Sequence, residues 1–203
     1  MGLFAQLVER VSDHPVLFIF IRGILENDFK AIRKVVRREL RPGQGLRSLD
    51  LGCGPGAFAN LFAGDDYFGV DLNARYIEHA RRTRPGTFLV GDARQLDIPD
   101  QRFDQILIFG LLHHLADDDV RAVLSESTRL LAPGGRILAI EDIPAISRLN
   151  LIGHLIHNVE NGEHIRPLED YRRLYSEDGR RIERDEVLQS GICDYYAAVL
   201  TRR

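Results

Sequence analysis

The stretch that most constrains this chain is Ser48 to Ala59, SLDLGCGPGAFA. A short apolar run ends at Asp50 and turns through Gly52, Gly54 and Gly56 toward a helix-like segment. Glycines at alternate positions let a backbone turn sharply and let a ligand approach with no Cβ in the way. This is the signature of a strand–loop–helix unit that seats a cofactor, and such a unit needs a parallel sheet around it.

The rest of the chain supplies that sheet. Apolar runs at Ser48–Leu51, Tyr67–Val70, Thr87–Val90, Phe103–Phe109 and Arg136–Glu141 read as strands. Helix patterns at Ala57–Phe62, Asn73–Arg82 and Asp117–Leu131 lie between them, with Asn73 and Asp117 as expected N-caps. Alternating β and α elements argue for a parallel sheet covered by helices on both faces. Two more helices are expected at Ala145–Glu160 and Pro167–Glu177. Strands at Arg181–Leu188 and Cys193–Thr201 close the pattern; the Ser190-Gly191 link is too short for anything but an antiparallel pair. Helical spacing at Leu3–Val11, Val16–Leu25 and Asp28–Leu40 adds an N-terminal helical extension suited to a lid, a dimer contact or a membrane surface. The expected fold class is α/β: a Rossmann-like, seven-stranded, mostly parallel sheet with an antiparallel last strand. One domain is read over 1–203, with the extension at 1–45, a cofactor-binding core at 46–142, and acceptor-side helices with the closing strand pair at 143–203.

Composition narrows the function classes. A net charge of −3 gives no global pull toward nucleic acid. The clusters at Arg33, Lys34, Arg37, Arg38 and Arg41, at Arg172 and Arg173, and at Arg180 and Arg181 read as solvated faces. Two cysteines, Cys53 and Cys193, make neither a disulfide framework nor a zinc site, so no metal is expected. Arg22 stops the apolar run Val16–Ile21 far short of the ~20 residues of a membrane span. With no leader-like opening, a cytoplasmic protein is expected.

The glycine loop alone leaves the cofactor open. Gly52-Cys53-Gly54-Pro55-Gly56-Ala57 also satisfies the dinucleotide pattern G-x-G-x-x-G/A. Asp71, ending the second strand, suits ribose hydroxyls in either case. The remaining blocks decide. LDLGCGPG (Leu49–Gly56), GVDLN (Gly69–Asn73), GDARQLDIP (Gly91–Pro99), FDQILIFGLLHHL (Phe103–Leu115) and LLAPGGRILAIED (Leu130–Asp142) occur in one order and spacing. Together they resemble the class I S-adenosylmethionine-dependent methyltransferases, particularly the small type 11/12 group to which ubiquinone and natural-product methyltransferases belong.

The resemblance implies S-adenosyl-L-methionine as cofactor and S-adenosyl-L-homocysteine as product. It implies that Gly52, Cys53, Gly54 and Gly56 present bare backbone to the methionine moiety, with Asp50 orienting the loop and the cofactor ammonium. Asp71 would hold the ribose hydroxyls and Leu72 would pack on the adenine. Asp92 would accept from the adenine amino group beside the Ala93 N–H, and Phe109 and Gly110 would line the sulfonium end. The family's amino-methylating enzymes carry an NPPY-like block after strand four; here the sequence is FGLLHH, which argues against adenine or glutamine as acceptor.

Methyl transfer to oxygen or carbon often needs a base. His113 and His114 follow strand four, and Glu141 ends strand five beside Asp142. On the Ala145–Glu160 segment, His154 belongs to an uncharged polar arc opposite an apolar one, an arrangement suited to lining an acceptor cavity. The expected activity is methyl transfer to a small molecule at oxygen. The alternatives are C-methylation of a quinone or lipid-like acceptor, or cofactor binding without turnover.

Overall fold

The computed structural model describes residues 23–24, 26–98, 103–144 and 164–202. Its frame is a seven-stranded sheet in the order β3-β2-β1-β4-β5-β7-β6. The strands are β1 (Arg47–Leu51), β2 (Asp66–Asp71), β3 (Thr87–Val90), β4 (Phe103–Phe109), β5 (Leu131–Asp142), β6 (Arg180–Ser190) and β7 (Cys193–Arg202). β1 to β5 pair in parallel, and β7 lies antiparallel between β5 and β6. The order reverses at β1, whose Leu51 pairs with Val70 on one side and Ile108 on the other. The carboxyl ends on either side of such a reversal form the crevice where ligands bind.

Alternation along the strands builds two cores. Leu49, Leu51, Ile106 and Ile108 pack against α3 (Asp117–Leu130) and α4 (Leu168–Tyr175), through Val120, Val123, Leu124, Tyr171 and Leu174. Leu107, Leu138 and Val199 face α1 (Lys30–Leu40) and α2 (Ala74–Thr83), meeting Ile32, Val36, Ile77 and Ala80. β4 is therefore covered on both faces, which is why Gln105-Ile106-Leu107-Ile108 reads as a continuous run. β6 forms an edge, and its exposed Arg181, Glu183 and Arg184 guard it against pairing with other chains.

Several expected boundaries move for local reasons. The glycine loop opens into a short 3₁₀ turn at Ala59–Phe62 rather than an α-helix over Ala57–Phe62, because Gly64 and the next strand leave no room for further turns. Asn73 caps α2 as expected, its Oδ1 accepting from Arg75 N at 3.0 Å and Tyr76 N at 3.3 Å. Asp117 is not the cap of α3: Ala116 takes that position, and Asp117 enters the first turn to meet Arg166 Nε at 2.9 Å. α1 starts at Lys30, after three successive left-handed residues, Asn27, Asp28 and Phe29 (φ 53°, 55° and 54°). Each is disfavoured by roughly 1–2 kcal/mol. The turn persists because its flanks are anchored: Glu26 O accepts from Ser190 Oγ at 2.9 Å, the Glu26 carboxylate accepts from Tyr195 OH, and the Phe29 ring is buried. Among the arginine clusters Arg180 departs from a solvated face. It is 1% exposed, donates to Leu174 O at 3.2 Å, and is held below the usual guanidinium range by burial.

Candidate cofactor and acceptor site

The glycine loop leaves β1 and folds back on β2. Gly52 N and Cys53 N both donate to Val70 O, at 2.8 and 3.0 Å. Asp71, the last residue of β2, then fixes the loop from its far side: Oδ2 accepts from Gly54 N at 2.9 Å and Oδ1 from Asn73 N at 2.8 Å. The glycines serve different needs. A Cβ on Gly56 would stand 2.9 Å from Arg84 Cγ and 3.3 Å from Phe88 Cε1, so that glycine lets the loop pack on α2 and β3. A Cβ on Gly54 would meet only Tyr76, at 3.9 Å; with φ at 53°, this is the point where backbone lies open to a ligand.

Asp50, near the end of β1, and Cys53, in the loop itself, are both buried. Asp50 is 2% exposed, and its Oδ2 accepts from Tyr67 OH at 2.6 Å. Burial, with the nearby Asp71 charge adding to it, pushes the Asp50 carboxyl up to about 7 against the pull of the Tyr67 hydrogen bond. Burial likewise raises the Cys53 thiol well above its ordinary range and raises Asp71, where the Asn73 and Gly54 N–H groups oppose it. Asp50 is thus tied to β2 through Tyr67, while Asp71 meets the loop at Gly54.

Beside Asp71 the surface turns apolar. Leu72 is 67% exposed and Val90, ending β3, 52%. Gly91 N donates to Asp71 O at 3.1 Å, which brings Asp92 and the half-buried Ala93 alongside. The loop that follows is docked on α3: Leu96 N donates to Glu126 Oε1 at 2.9 Å, and Arg129 Nη2 to Leu96 O at 3.3 Å. Asp92 is engaged by Arg94, whose backbone N lies 2.9 Å from Oδ1 and whose Nη2 lies 2.5 Å from Oδ2.

The ends of β4 and β5 form a second polar group. Glu141 is fully buried and accepts four hydrogen bonds. Oε1 takes Leu111 N (3.1 Å) and Leu112 N (2.8 Å); Oε2 takes His113 N (3.2 Å) and His113 Nδ1 (2.8 Å). It thereby caps the 3₁₀ turn Leu112–His114 and orients the imidazole together. Asp142 Oδ2, also buried, lies 3.7 Å from the same Nδ1, so two carboxylates face one nitrogen. The His114 ring lies tilted against His113 with ring centroids 4.1 Å apart, but His114 is exposed. Arg166 locks this turn from outside, donating to Leu112 O (2.9 Å), Leu115 O (2.5 Å) and His164 O (2.9 Å).

Gly110 takes φ 63° and donates to Ile140 O at 3.0 Å, which turns the chain off β4. The Phe109 ring joins an aromatic cluster with Phe58 (5.0 Å), Tyr195 (5.7 Å) and Phe29 (5.8 Å), fastening the start of α1 over the sheet end. His154 and its polar arc lie outside the described residues. Among the described residues no group of three or more His, Cys, Asp or Glu side chains is placed to hold a metal ion, and no helix is long and apolar enough to cross a membrane.

The structure thus gathers Gly54, Asp71, Leu72 and Asp92 at one crevice, and His113, Glu141 and Asp142 at the adjoining strand ends. Three parts of this site give no local sequence signal: the Arg94 bridge to Asp119, the Arg166 lock and the Glu26–Tyr195 anchor each join residues distant in the chain.

Comparison with known proteins agrees with this fold. Residues 49–135 match the family described as a methyltransferase domain. The chain is 36% identical over 108 residues to a fatty-acid O-methyltransferase of Mycolicibacterium smegmatis, covering 50% of this chain and 39% of that enzyme. It is 38% identical over 101 residues to a ubiquinone biosynthesis O-methyltransferase of Cereibacter sphaeroides, covering 46% and 40%. The matched part therefore spans well under two thirds of either relative. A magnesium protoporphyrin IX methyltransferase from Synechocystis with bound S-adenosylhomocysteine shares the fold, with a TM-score of 0.67 at 20% identity over 94% of this chain and 88% of that one. Over residues 49–135 this chain is thus similar to the methyltransferase domain family.

Proposed function

We propose that this protein transfers the methyl group of S-adenosylmethionine to an oxygen of a small-molecule acceptor. The observation that carries the reading is the setting of Asp71. A carboxylate has about four acceptor positions. The Gly54 and Asn73 N–H groups take two of them, which leaves two for the paired hydroxyls of a ribose. Open backbone at Gly54 on one side and exposed Leu72 on the other suit the methionine and adenine ends of the same molecule.

When bound, the cofactor supplies a methyl group already activated on a sulfonium. The chain's own residues then have to place the acceptor and manage its proton. His113, whose Nδ1 is hydrogen-bonded to Glu141 Oε2 at 2.8 Å, is our candidate for the base that receives the acceptor's hydroxyl proton. Glu141 is a positioning residue: its oxygens are committed to the turn and to Nδ1, and with Asp142 it stabilises the imidazolium that forms. Oxygen as the target is supported by this base and by the O-methyltransferase activities named for the two relatives.

Calorimetry with S-adenosylhomocysteine and NAD in parallel tests the cofactor. Binding of the first and not the second is expected, and tight NAD binding with no S-adenosylhomocysteine signal would overturn the assignment. Methyl transfer from labelled cofactor to a panel of fatty acids, phenols and hydroquinones tests the acceptor class. Methylation confined to carbon or nitrogen would refute the role of His113.

A further inference from the structure

Asp92, the residue placed to receive the adenine amino group, already has an occupant. Arg94 bends back over two residues so that Nε lies 3.0 Å from both Asp92 oxygens and Nη2 2.5 Å from Oδ2, with its own backbone N 2.9 Å from Oδ1. These contacts hold the Asp92 carboxyl below the usual carboxylate range. The remaining arm of the guanidinium, Nη1, is 2.9 Å from Asp119 Oδ1 in the first turn of α3. All three side chains are partly open to solvent, at 34% for Asp92, 43% for Arg94 and 40% for Asp119. Solvent and salt screen exposed pairs, which lets them exchange, with forked contacts such as this one at the stronger end of the range. Next to them lie Leu72 and Val90, the apolar surface that a purine would cover.

We propose that Arg94 is an intramolecular competitor for the adenine site: its guanidinium and the purine amino group compete for Asp92, and Asp119 retains the guanidinium when it yields. The inference rests on the cofactor reading above and adds a regulation of that site. An amino group has an N–H to offer Asp92 and can replace the Nη2 contact. A purine carrying a carbonyl at the same position presents an acceptor there, its N–H having moved to the adjacent ring nitrogen, so it does not replace the Nη2 contact in the same geometry. Each binding event then gives up the Arg94–Asp92 contact, and each departure regains it. The consequence falls on cofactor and product alike, since both carry adenine. Arg94 loosens the hold on S-adenosylhomocysteine, which has to leave before the next turnover.

The test is calorimetry of wild type and Arg94→Ala with S-adenosylhomocysteine and with S-inosylhomocysteine, whose purine carries the carbonyl. Arg94→Ala is expected to bind S-adenosylhomocysteine roughly two- to fivefold tighter at low salt, the range an exposed ion pair supplies. That advantage should shrink toward about 0.5 M NaCl, where screening weakens the pair in the wild type. S-inosylhomocysteine should gain nothing. Unchanged or weaker S-adenosylhomocysteine binding by Arg94→Ala, or an equal gain for both ligands, would overturn the proposal. A wild-type protein that binds neither ligand would overturn the cofactor reading itself.

Discussion

Asp50 offers a quantitative check on the site's electrostatics. Its carboxyl is buried near the end of β1 and pushed from 3.8 up to about 7. A carboxyl raised in the folded state binds its proton more tightly there than in the unfolded chain. Its contribution to stability is therefore most favourable at low pH and declines as pH rises through the folded value. A shift of about 3 units, at about 1.4 kcal/mol per unit, makes the ionised group disfavour the fold by about 4 kcal/mol above pH 7. Roughly 2–3 kcal/mol of that loss falls between about pH 5 and pH 8. Asp50→Asn keeps the shape, and its amide oxygen can still accept from Tyr67 OH, but it cannot ionise. The new NH₂ group costs about 1–3 kcal/mol where it finds no acceptor. The variant should thus be less stable than or level with wild type near pH 5, and level or more stable near pH 8. The chain has no tryptophan, so urea unfolding followed by far-ultraviolet circular dichroism across that range is the suitable assay. The decisive quantity is the difference between the two stability curves. If it stays constant with pH, Asp50 does not titrate in this window and the account of its burial is wrong.

Three further outcomes follow from the geometry. Asp71→Ala removes the acceptor of Gly54 N and Asn73 N along with the ribose contact proposed above, and should weaken S-adenosylhomocysteine binding by at least about 1.5–3 kcal/mol, read by calorimetry. Glu141→Gln replaces an acceptor of four N–H bonds by a group with one oxygen and one donor, so unfolding in urea should come earlier by roughly 2–4 kcal/mol; equal stability would mean that the turn does not depend on the carboxylate. Gly69→Ala would bring its Cβ to 2.8 Å from both Cys53 Sγ and Phe88 Cδ1. Overpacking of this kind costs about 1–3 kcal/mol and should lower the midpoint of thermal unfolding.

These residues also show what could be read before the structure was known. The parallel strands were legible because their apolar runs are bounded by turn residues and all but β3 are followed by a helix pattern; β4, covered on both faces, was the clearest. The glycine loop with Asp71 was legible because its chemistry is local: a carboxylate two residues before an N-cap and one strand away from the loop it holds. Asp117 misled because an acid before a helix reads as a cap, whereas a partner 49 residues on, Arg166, takes its carboxylate at the first turn. The same limit hides the competitor at Asp92. GDARQL shows an acid and an arginine two apart, a spacing that by itself says only that they can touch. What makes Arg94 a rival to a ligand rather than a surface ornament is Asp119, brought from the start of α3 to hold its third nitrogen, together with the exposed Leu72 across the crevice. Both depend on how β2, β3 and α3 converge. The site is thus written in two layers: a local one that names the cofactor, and a tertiary one that sets how firmly the cofactor is held.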